Sequence, residues 1–153
     1  VVKPDYTFSA LDAESGAVVW TYGGSEQFSA RGAIALNDRV INTSRDDVVI
    51  AWDSAGGAVV WKTPLRSHAD DLQYKSINSA LVAVDNQLYR ILARGRVSCL
   101  DSSDGTVMFE YSISGLPEIN FMSTPCAAGN YPFAGGLDGK VYALFINPDP
   151  CAR

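Results

Sequence analysis

The feature that most constrains the fold of this 153-residue chain is a short motif that occurs three times. Each copy has an aspartate, then a glycine, then a large aromatic residue, at the same spacing. The copies are Asp12, Gly16, Trp20; Asp53, Gly57, Trp61; and Asp101, Gly105, Phe109. A repeat of roughly 40–50 residues that contains short strands is typical of the blades of a β-propeller.

Each copy of the motif has the chemistry of a tight turn between two strands. The aspartate side chain can accept hydrogen bonds from backbone amides of the turn, and the glycine can adopt a positive φ without a Cβ clash. The next residues, Val18-Val19 and Val59-Val60 in the first two copies, favour a strand. We therefore predict that the three aspartates are turn residues rather than catalytic carboxylates.

Apolar segments between the motifs predict thirteen strands, and no stretch has sustained helical periodicity. Two groups of four strands are predicted at 33–36, 40–43, 48–52 and 59–62, and at 80–84, 88–92, 97–100 and 107–111. Two strands precede them at 6–11 and 18–22, and about three follow at 124–128, 131–134 and 140–145.

The predicted fold class is therefore all-β, a partial β-propeller. It is an arc of about three to four four-stranded antiparallel blades, with incomplete blades at both ends. We predict one segment over 1–153, with a partial first blade at 5–24, blades at 31–65 and 78–113, and a partial last blade at 122–147.

Charge and hydropathy exclude several classes of partner. The formal net charge is −5, and the lysines and arginines are scattered singly, so the chain has no basic stripe for nucleic acid or for an anionic membrane surface. No apolar run approaches the roughly 20 residues that span a bilayer. We expect no nucleic-acid partner and no membrane insertion. The sequence starts without a signal peptide or an initiator methionine, which is expected of a processed or partial chain.

The three motifs resemble the tryptophan-docking, or PQQ-like, repeat of the quinoprotein alcohol dehydrogenase-like superfamily. The pattern of that repeat is Ala-x-Asp-x-x-Thr-Gly-x-x-x-Trp or a close variant. The first copy departs from it only by Ser15 for threonine, and the second by Gly56 for threonine. The third copy is more degenerate, with Cys99 for alanine, Asp104 for threonine and Phe109 for tryptophan.

The resemblance implies that Trp20, Trp61 and Phe109 dock between adjacent blades. Members of the superfamily commonly form eight-bladed rings, so the resemblance also implies that another segment, another chain or a second copy completes this arc. A periplasmic or extracellular location is what the resemblance favours.

The enzymes of that superfamily hold pyrroloquinoline quinone and calcium through carboxylate and asparagine ligands, and many have a vicinal disulfide. The cysteines of this chain, Cys99, Cys126 and Cys151, are not adjacent, and their pairing is left open. The adjacent acidic residues Asp70-Asp71 have no partner at ligand spacing, and His68 is the single histidine. Because a fold does not carry a function with it, we expect no catalytic residue, no cofactor and no metal site.

Candidate partner-binding residues lie in the connections that follow the docking aromatics. In propellers such connections gather on one face around the central channel, and aromatic residues beside charges suit protein contacts. The alternative is that the aromatic residues only close the channel. The candidates are Arg66, His68, Asp70, Asp71, Tyr74, Glu118 and Phe121.

The sequence thus favours a non-catalytic propeller segment that acts as a protein-interaction scaffold. Two alternatives stay open. One is a fragment of a PQQ- and calcium-dependent dehydrogenase, and the other is a propeller that senses a small ligand.

Overall fold

The computed structural model describes residues 7–28, 32–65, 80–91, 95–112, 121 and 123–144. Thirteen strands in four antiparallel sheets occupy these ranges, which contain no helix, so the predicted all-β class is confirmed. The strands are β1 (Phe8–Leu11), β2 (Val18–Tyr22), β3 (Ile34–Leu36), β4 (Arg39–Thr43), β5 (Val48–Asp53), β6 (Val59–Pro64), β7 (Leu81–Val84), β8 (Gln87–Ile91), β9 (Arg96–Asp101), β10 (Val107–Ser112), β11 (Cys126–Ala128), β12 (Tyr131–Gly135) and β13 (Val141–Ala143).

The sheets follow the chain as meanders, in which each strand pairs with the next one in sequence. We call them blade 1 (β1–β2), blade 2 (β3–β6), blade 3 (β7–β10) and blade 4 (β11–β13). The first strand of blade 3, β7, lies beside β3 and beside β11. Blades 2, 3 and 4 therefore approach one another along their first strands, and the last strands, β2, β6 and β10, form the outer edges.

The hydrophobic core lies between the blades. Strand β5 shows why, because its side chains alternate between two apolar clusters: Ile50 and Trp52 pack with blade 1, and Val49 and Ala51 pack toward blade 3. A sheet that is buried on both faces needs such a continuous apolar run, rather than an alternation of apolar and polar residues. A third cluster joins blades 3 and 4.

A β-bulge recurs at the same place in blades 1 to 3. Where the last two strands pair, the register skips one residue of the outer strand, namely Val19, Val60 or Met108. A bulge interrupts the alternation of side chains along a strand. As a result, two consecutive apolar residues face solvent in each outer strand before the aromatic residue turns inward.

Two strands of blade 4, β11 and β13, start later than predicted, whereas β12 (Tyr131–Gly135) extends one residue beyond the predicted 131–134. Strand β11 begins at Cys126 rather than at 124, and β13 begins at Val141, because the turn that precedes β13 extends through Lys140. The predicted end of the last strand, at 145, lies outside the described residues.

Candidate functional site

The aspartate of each motif is held inside its own turn. Asp12 Oδ1 accepts hydrogen bonds from the backbone N–H and the hydroxyl of Ser15, at 2.8 and 2.6 Å. Asp53 Oδ1 accepts from Gly56 N at 2.6 Å, and Asp101 Oδ1 from Ser103 N at 2.7 Å. These hydrogen bonds stabilise the ionised carboxylates, so the pKa of Asp12 lies below its usual value, mainly through the Ser15 hydroxyl. The Ser103 side chain and backbone lower the pKa of Asp101 in the same way.

The two motif tryptophans lie on the turn of the following blade. The Trp20 indole N–H donates to the carbonyl of Ser54 at 3.0 Å, and the Trp61 indole donates to Ser102 at 3.2 Å. Each ring lies directly over a turn glycine. A Cβ on Gly57 would be 2.5 Å from the Trp20 ring, and one on Gly105 would be 2.5 Å from the Trp61 ring. Glycine is therefore required in these turns by the close contact as well as by the positive φ.

The third aromatic residue of the repeat, Phe109, has different surroundings. It is half-buried, and its ring lies near Tyr89 and Tyr111 of its own sheet, with centroids 6.3 and 5.6 Å apart. Phenylalanine has no indole N–H to donate. By the spacing of the first two copies, the turn that would receive Phe109 follows Leu144 and lies outside the described residues.

Blades 1 and 2 are also joined by a polar cluster of three side chains. Glu26 forms an ion pair with Lys62 of β6 and accepts a hydrogen bond from the Tyr22 hydroxyl at 2.7 Å. The Lys62 ammonium also lies 5.6 Å from the centre of the Tyr22 ring. Burial raises the pKa of Glu26, but the hydrogen bonds from Lys62 and Tyr22 outweigh it, and the net pKa is lowered.

This cluster predicts a pH-dependent contribution to stability. A carboxyl whose pKa is lower in the folded chain stabilises it above the unfolded value, about 4.3 for glutamate, and this stabilisation is lost as pH falls through the folded pKa. We expect the wild-type chain to be more stable than Glu26→Gln at neutral pH, and the difference to shrink below about pH 4. Urea unfolding of both chains across that range measures it. A difference that stays constant down to strongly acidic pH would contradict the assignment.

Two arginines join blades 2 and 3, and neither is among the candidate residues predicted from the sequence. Arg39 donates from Nη1 to the carbonyl of Ser102 at 2.9 Å, on the turn that also receives Trp61. Arg90, in β8, is almost fully buried and pairs with Asp47 in the turn between β4 and β5. The available signal was the position of Arg90 inside the apolar run 88–92, since a charged residue is rarely buried unless it is paired.

The predicted partner-binding residues Arg66, His68, Asp70, Asp71, Tyr74 and Glu118 lie outside the described residues. Phe121 is described and lies in the core, and its contact with a partner stays a prediction. It is fully buried between blades 3 and 4, with its ring edge-on to Tyr142 at 5.4 Å. Its backbone bridges to Gly136, and Phe28, also fully buried, bridges to Ser44 in the same way. An aromatic residue at this point of the connection therefore fills the core.

A row of apolar side chains is exposed along the outer strands. These residues occupy the bulged positions described above, and each is between 38% and 55% exposed. No charge interrupts them, although Lys62 and Pro64 follow in β6. We call this set the outer apolar row: Val18, Val19, Val59, Val60, Val107 and Met108.

The described residues form a small cleft but no group of side chains that could bind a metal ion. A cleft of about 140 Å³ lies where the Asn37–Arg39 segment of blade 2 meets the Ser102 turn of blade 3; cofactor pockets are typically about 300–1,000 Å³. Within these ranges no group of three or more His, Cys, Asp or Glu side chains could hold a metal ion, and no helix could cross a membrane. Burial raises the pKa of the Cys99 thiol to about 11, whereas Cys126 is exposed.

Comparison with known proteins identifies the repeat. The family model described as outer membrane protein assembly factor BamB matches residues 1–147. The BamB structure from Moraxella catarrhalis is 22% identical with a TM-score of 0.70, over 92% of this chain and 40% of that chain. The computationally designed Ika4 protein is 19% identical with a TM-score of 0.67, over 94% and 81%. The dihydro-heme d1 dehydrogenase NirN is 14% identical with a TM-score of 0.71, over 94% and 31%.

The solved structures show the fold of this chain, and the family model shows its family. No curated protein sequence matches the chain, and at such low identities the solved structures show the fold alone. The chain spans 40% of the length of the Moraxella BamB structure. The family model, in contrast, matches nearly the whole chain, including all three motifs. This chain belongs to the outer membrane protein assembly factor BamB family of PQQ-like repeat β-propellers.

Proposed function

We propose that this chain is a non-catalytic protein-interaction scaffold that works within a larger propeller or assembly. The observation that carries the proposal is the outer apolar row. Edge strands of soluble proteins are usually protected by charges, prolines or a covering element. Here three successive blades expose two adjacent apolar residues each, at the same position of the repeat and without a charge between them.

The bulges make this surface a recurring feature rather than a set of isolated exposed residues. Single exposed apolar residues are common on protein surfaces, but a recurring set suits contact with another protein. Each pair directly precedes the motif aromatic, whose ring is turned inward. The packing of the blades therefore holds each pair in place, and a partner would meet a rigid surface. The BamB relative is described as an assembly factor, which supports the same function for this chain.

Site-specific photocrosslinking tests the proposal in cells that express the protein. A photoreactive phenylalanine analogue at Val60 is expected to form a discrete adduct with one protein. The control is the same analogue at Ala55, which is exposed in the preceding turn of the same blade. Mass spectrometry identifies the adduct. The variant Val59→Asp is expected to lower the affinity for the partner, and with it the adduct yield, roughly tenfold if apolar contact provides about 1.4 kcal/mol. Equal labelling from positions 60 and 55 would overturn the proposal.

The dehydrogenase alternative has its own test. The full chain is mixed with pyrroloquinoline quinone and calcium, and dye-linked oxidation of simple alcohols is measured. Our proposal expects no oxidation above the rate of the protein-free mixture. A rate of alcohol oxidation that increases with protein concentration would mean that the chain is an enzyme, and would overturn the scaffold proposal.

A further inference from the structure

One residue of the outer apolar row differs in chemistry from the others. Met108 occupies the bulged position of blade 3, which Val19 and Val60 occupy in blades 1 and 2. It is 49% exposed, so dissolved reagents can reach it. Mild oxidants convert a methionine thioether to its sulfoxide, whereas a valine has no group that reacts. The other methionine, Met122, lies outside the described residues.

A buried thiol lies beside the Met108 side chain. Cys99 of β9 donates a weak S–H hydrogen bond to Met108 Sδ, and 4.0 Å separates the two sulfur atoms. Cys99 is fully buried and occupies the position that Ala10 and Ala51 have in blades 1 and 2. The two positions at which the third copy carries sulfur therefore meet across the strand pair β9–β10.

This contact leaves one lone pair of Met108 Sδ for an oxidant. A thioether sulfur has two lone pairs, and the one that accepts the Cys99 S–H is directed toward the buried thiol. Oxygen therefore adds to the other lone pair and points away from Cys99. Cys99 itself is protected, because burial raises the pKa of its thiol to about 11 and the thiolate is the form that oxidants attack.

We propose that Met108 is a reversible oxidation site, at which a peroxide forms the sulfoxide and thereby weakens the binding of a partner to the outer apolar row. The free lone pair of Sδ attacks one oxygen of hydrogen peroxide, the O–O bond breaks, and the second oxygen takes the proton of the first and leaves as water. The sulfur loses two electrons and the peroxide gains them. Methionine sulfoxide reductases reverse the change. The inference rests on the proposed function, because it names a regulation of the same surface.

The size of the effect follows from the polarity of the sulfoxide. A partner that packs on the outer apolar row must bury the new oxygen, and a buried polar group without a hydrogen-bond partner costs free energy. The five valines of the row remain apolar, so binding is weakened rather than abolished. We expect oxidation of Met108 to lower the affinity for the partner roughly tenfold.

The first part of the test uses the full chain alone. The folded chain and the urea-unfolded chain are treated with hydrogen peroxide, and mass spectrometry of peptides follows the oxygen added to Met108. Two methionine sulfoxide reductases, each specific for one epimer of the sulfoxide, then report the epimer ratio in those peptides. We expect one epimer to exceed the other roughly fivefold or more after oxidation of the folded chain, and the two to be about equal after oxidation of the unfolded chain.

Cys99→Ala tests whether the thiol selects the lone pair that reacts. Alanine is the residue of blades 1 and 2 at this position, so the repeat accepts it. We expect the epimer ratio of this variant to move toward that of the unfolded chain. Two results would contradict the oxidation site: equal epimers from the folded wild type, or oxidation of Met108 that is slower in the folded chain than in the unfolded chain by more than about tenfold, since it would then need local opening.

The second part measures binding. The chain with the photoreactive analogue at Val60 is oxidised, freed of peroxide and crosslinked to the protein identified as its partner. We expect the adduct yield to fall roughly tenfold and to recover after treatment with both reductases. Met108→Leu has a similar volume but cannot form a sulfoxide, so peroxide should leave the yield of this variant within about twofold of its own untreated value. Equal losses in the wild type and in Met108→Leu would overturn the regulation.

The oxidation site and the proposed function can fail separately. The epimer ratio is measured on the chain alone and depends on no partner. A chain that is oxidised as expected but forms no discrete adduct at Val60 would overturn the proposed function and the regulation together, while the oxidation site at Met108 would stand.

Discussion

Replacing Gly57 by alanine is expected to destabilise the chain by roughly 2–5 kcal/mol, whereas the same change at Gly16 should cost about 1–2 kcal/mol. Both residues have a φ of 71°, so the new Cβ adds the same left-handed strain at each position. At Gly57 the Cβ must also displace the Trp20 ring, which would lie 2.5 Å away. The difference between the two variants therefore isolates the contact between blades 1 and 2.

Urea unfolding of the wild type and both variants measures this difference, with the change in midpoint converted through a shared m-value. Gly139→Ala is a second matched control, since its φ is 79° and no atom of the described residues lies within 4 Å of its Cβ. Gly105→Ala should resemble Gly57→Ala, because its Cβ would meet both Trp61 and Thr63 at 2.5 Å. If Gly57 and Gly16 tolerated alanine equally, the close contact of the Trp20 indole with Gly57 would contribute nothing measurable to the free energy of unfolding.

The repeat could be predicted from the sequence because its turns are local. An aspartate that caps its own turn and a glycine with positive φ act within five residues, and every copy carries the same signals. The number of strands and the order of the blades follow from that spacing. The bulges at Val19, Val60 and Met108 could not be predicted, because a bulge depends on how the neighbouring strand pairs.

The candidate site was harder to predict for the same reason. Phe121 has the composition of a contact residue, an aromatic in a connection near charges, yet the bridge to Gly136 places it in the core. The outer apolar row has the composition of core strands and is exposed because of the bulges. In both cases the pairing with a neighbouring strand decides which way a side chain points. The pattern of apolar and polar residues in the sequence does not show that pairing. The pair formed by Asp47 and Arg90 also joins two blades that are distant in sequence.

That pair gives the second large effect. Asp47→Gly is expected to destabilise the chain by about 3–5 kcal/mol, because the Arg90 guanidinium, 1% exposed, loses the carboxylate that offsets its burial. Glycine is the appropriate replacement, since residue 47 has a φ of 62° and alanine would add backbone strain. Asp46→Ala, at the exposed neighbouring position, should change the stability by no more than about 0.5 kcal/mol.

Adding Arg90→Met to Asp47→Gly should restore much of the lost stability. The methionine fills a similar volume and carries no charge that needs a partner in the interface between blades 2 and 3. A double-mutant cycle from urea unfolding of the wild type, both single variants and the double variant gives the coupling energy. Additive losses would mean that each residue stabilises its own blade. A double variant that is more stable than Asp47→Gly alone and close to the wild type would mean that the penalty comes from the buried Arg90 charge after it loses the Asp47 carboxylate. The pair itself would then provide little net stability and act mainly to align the two blades.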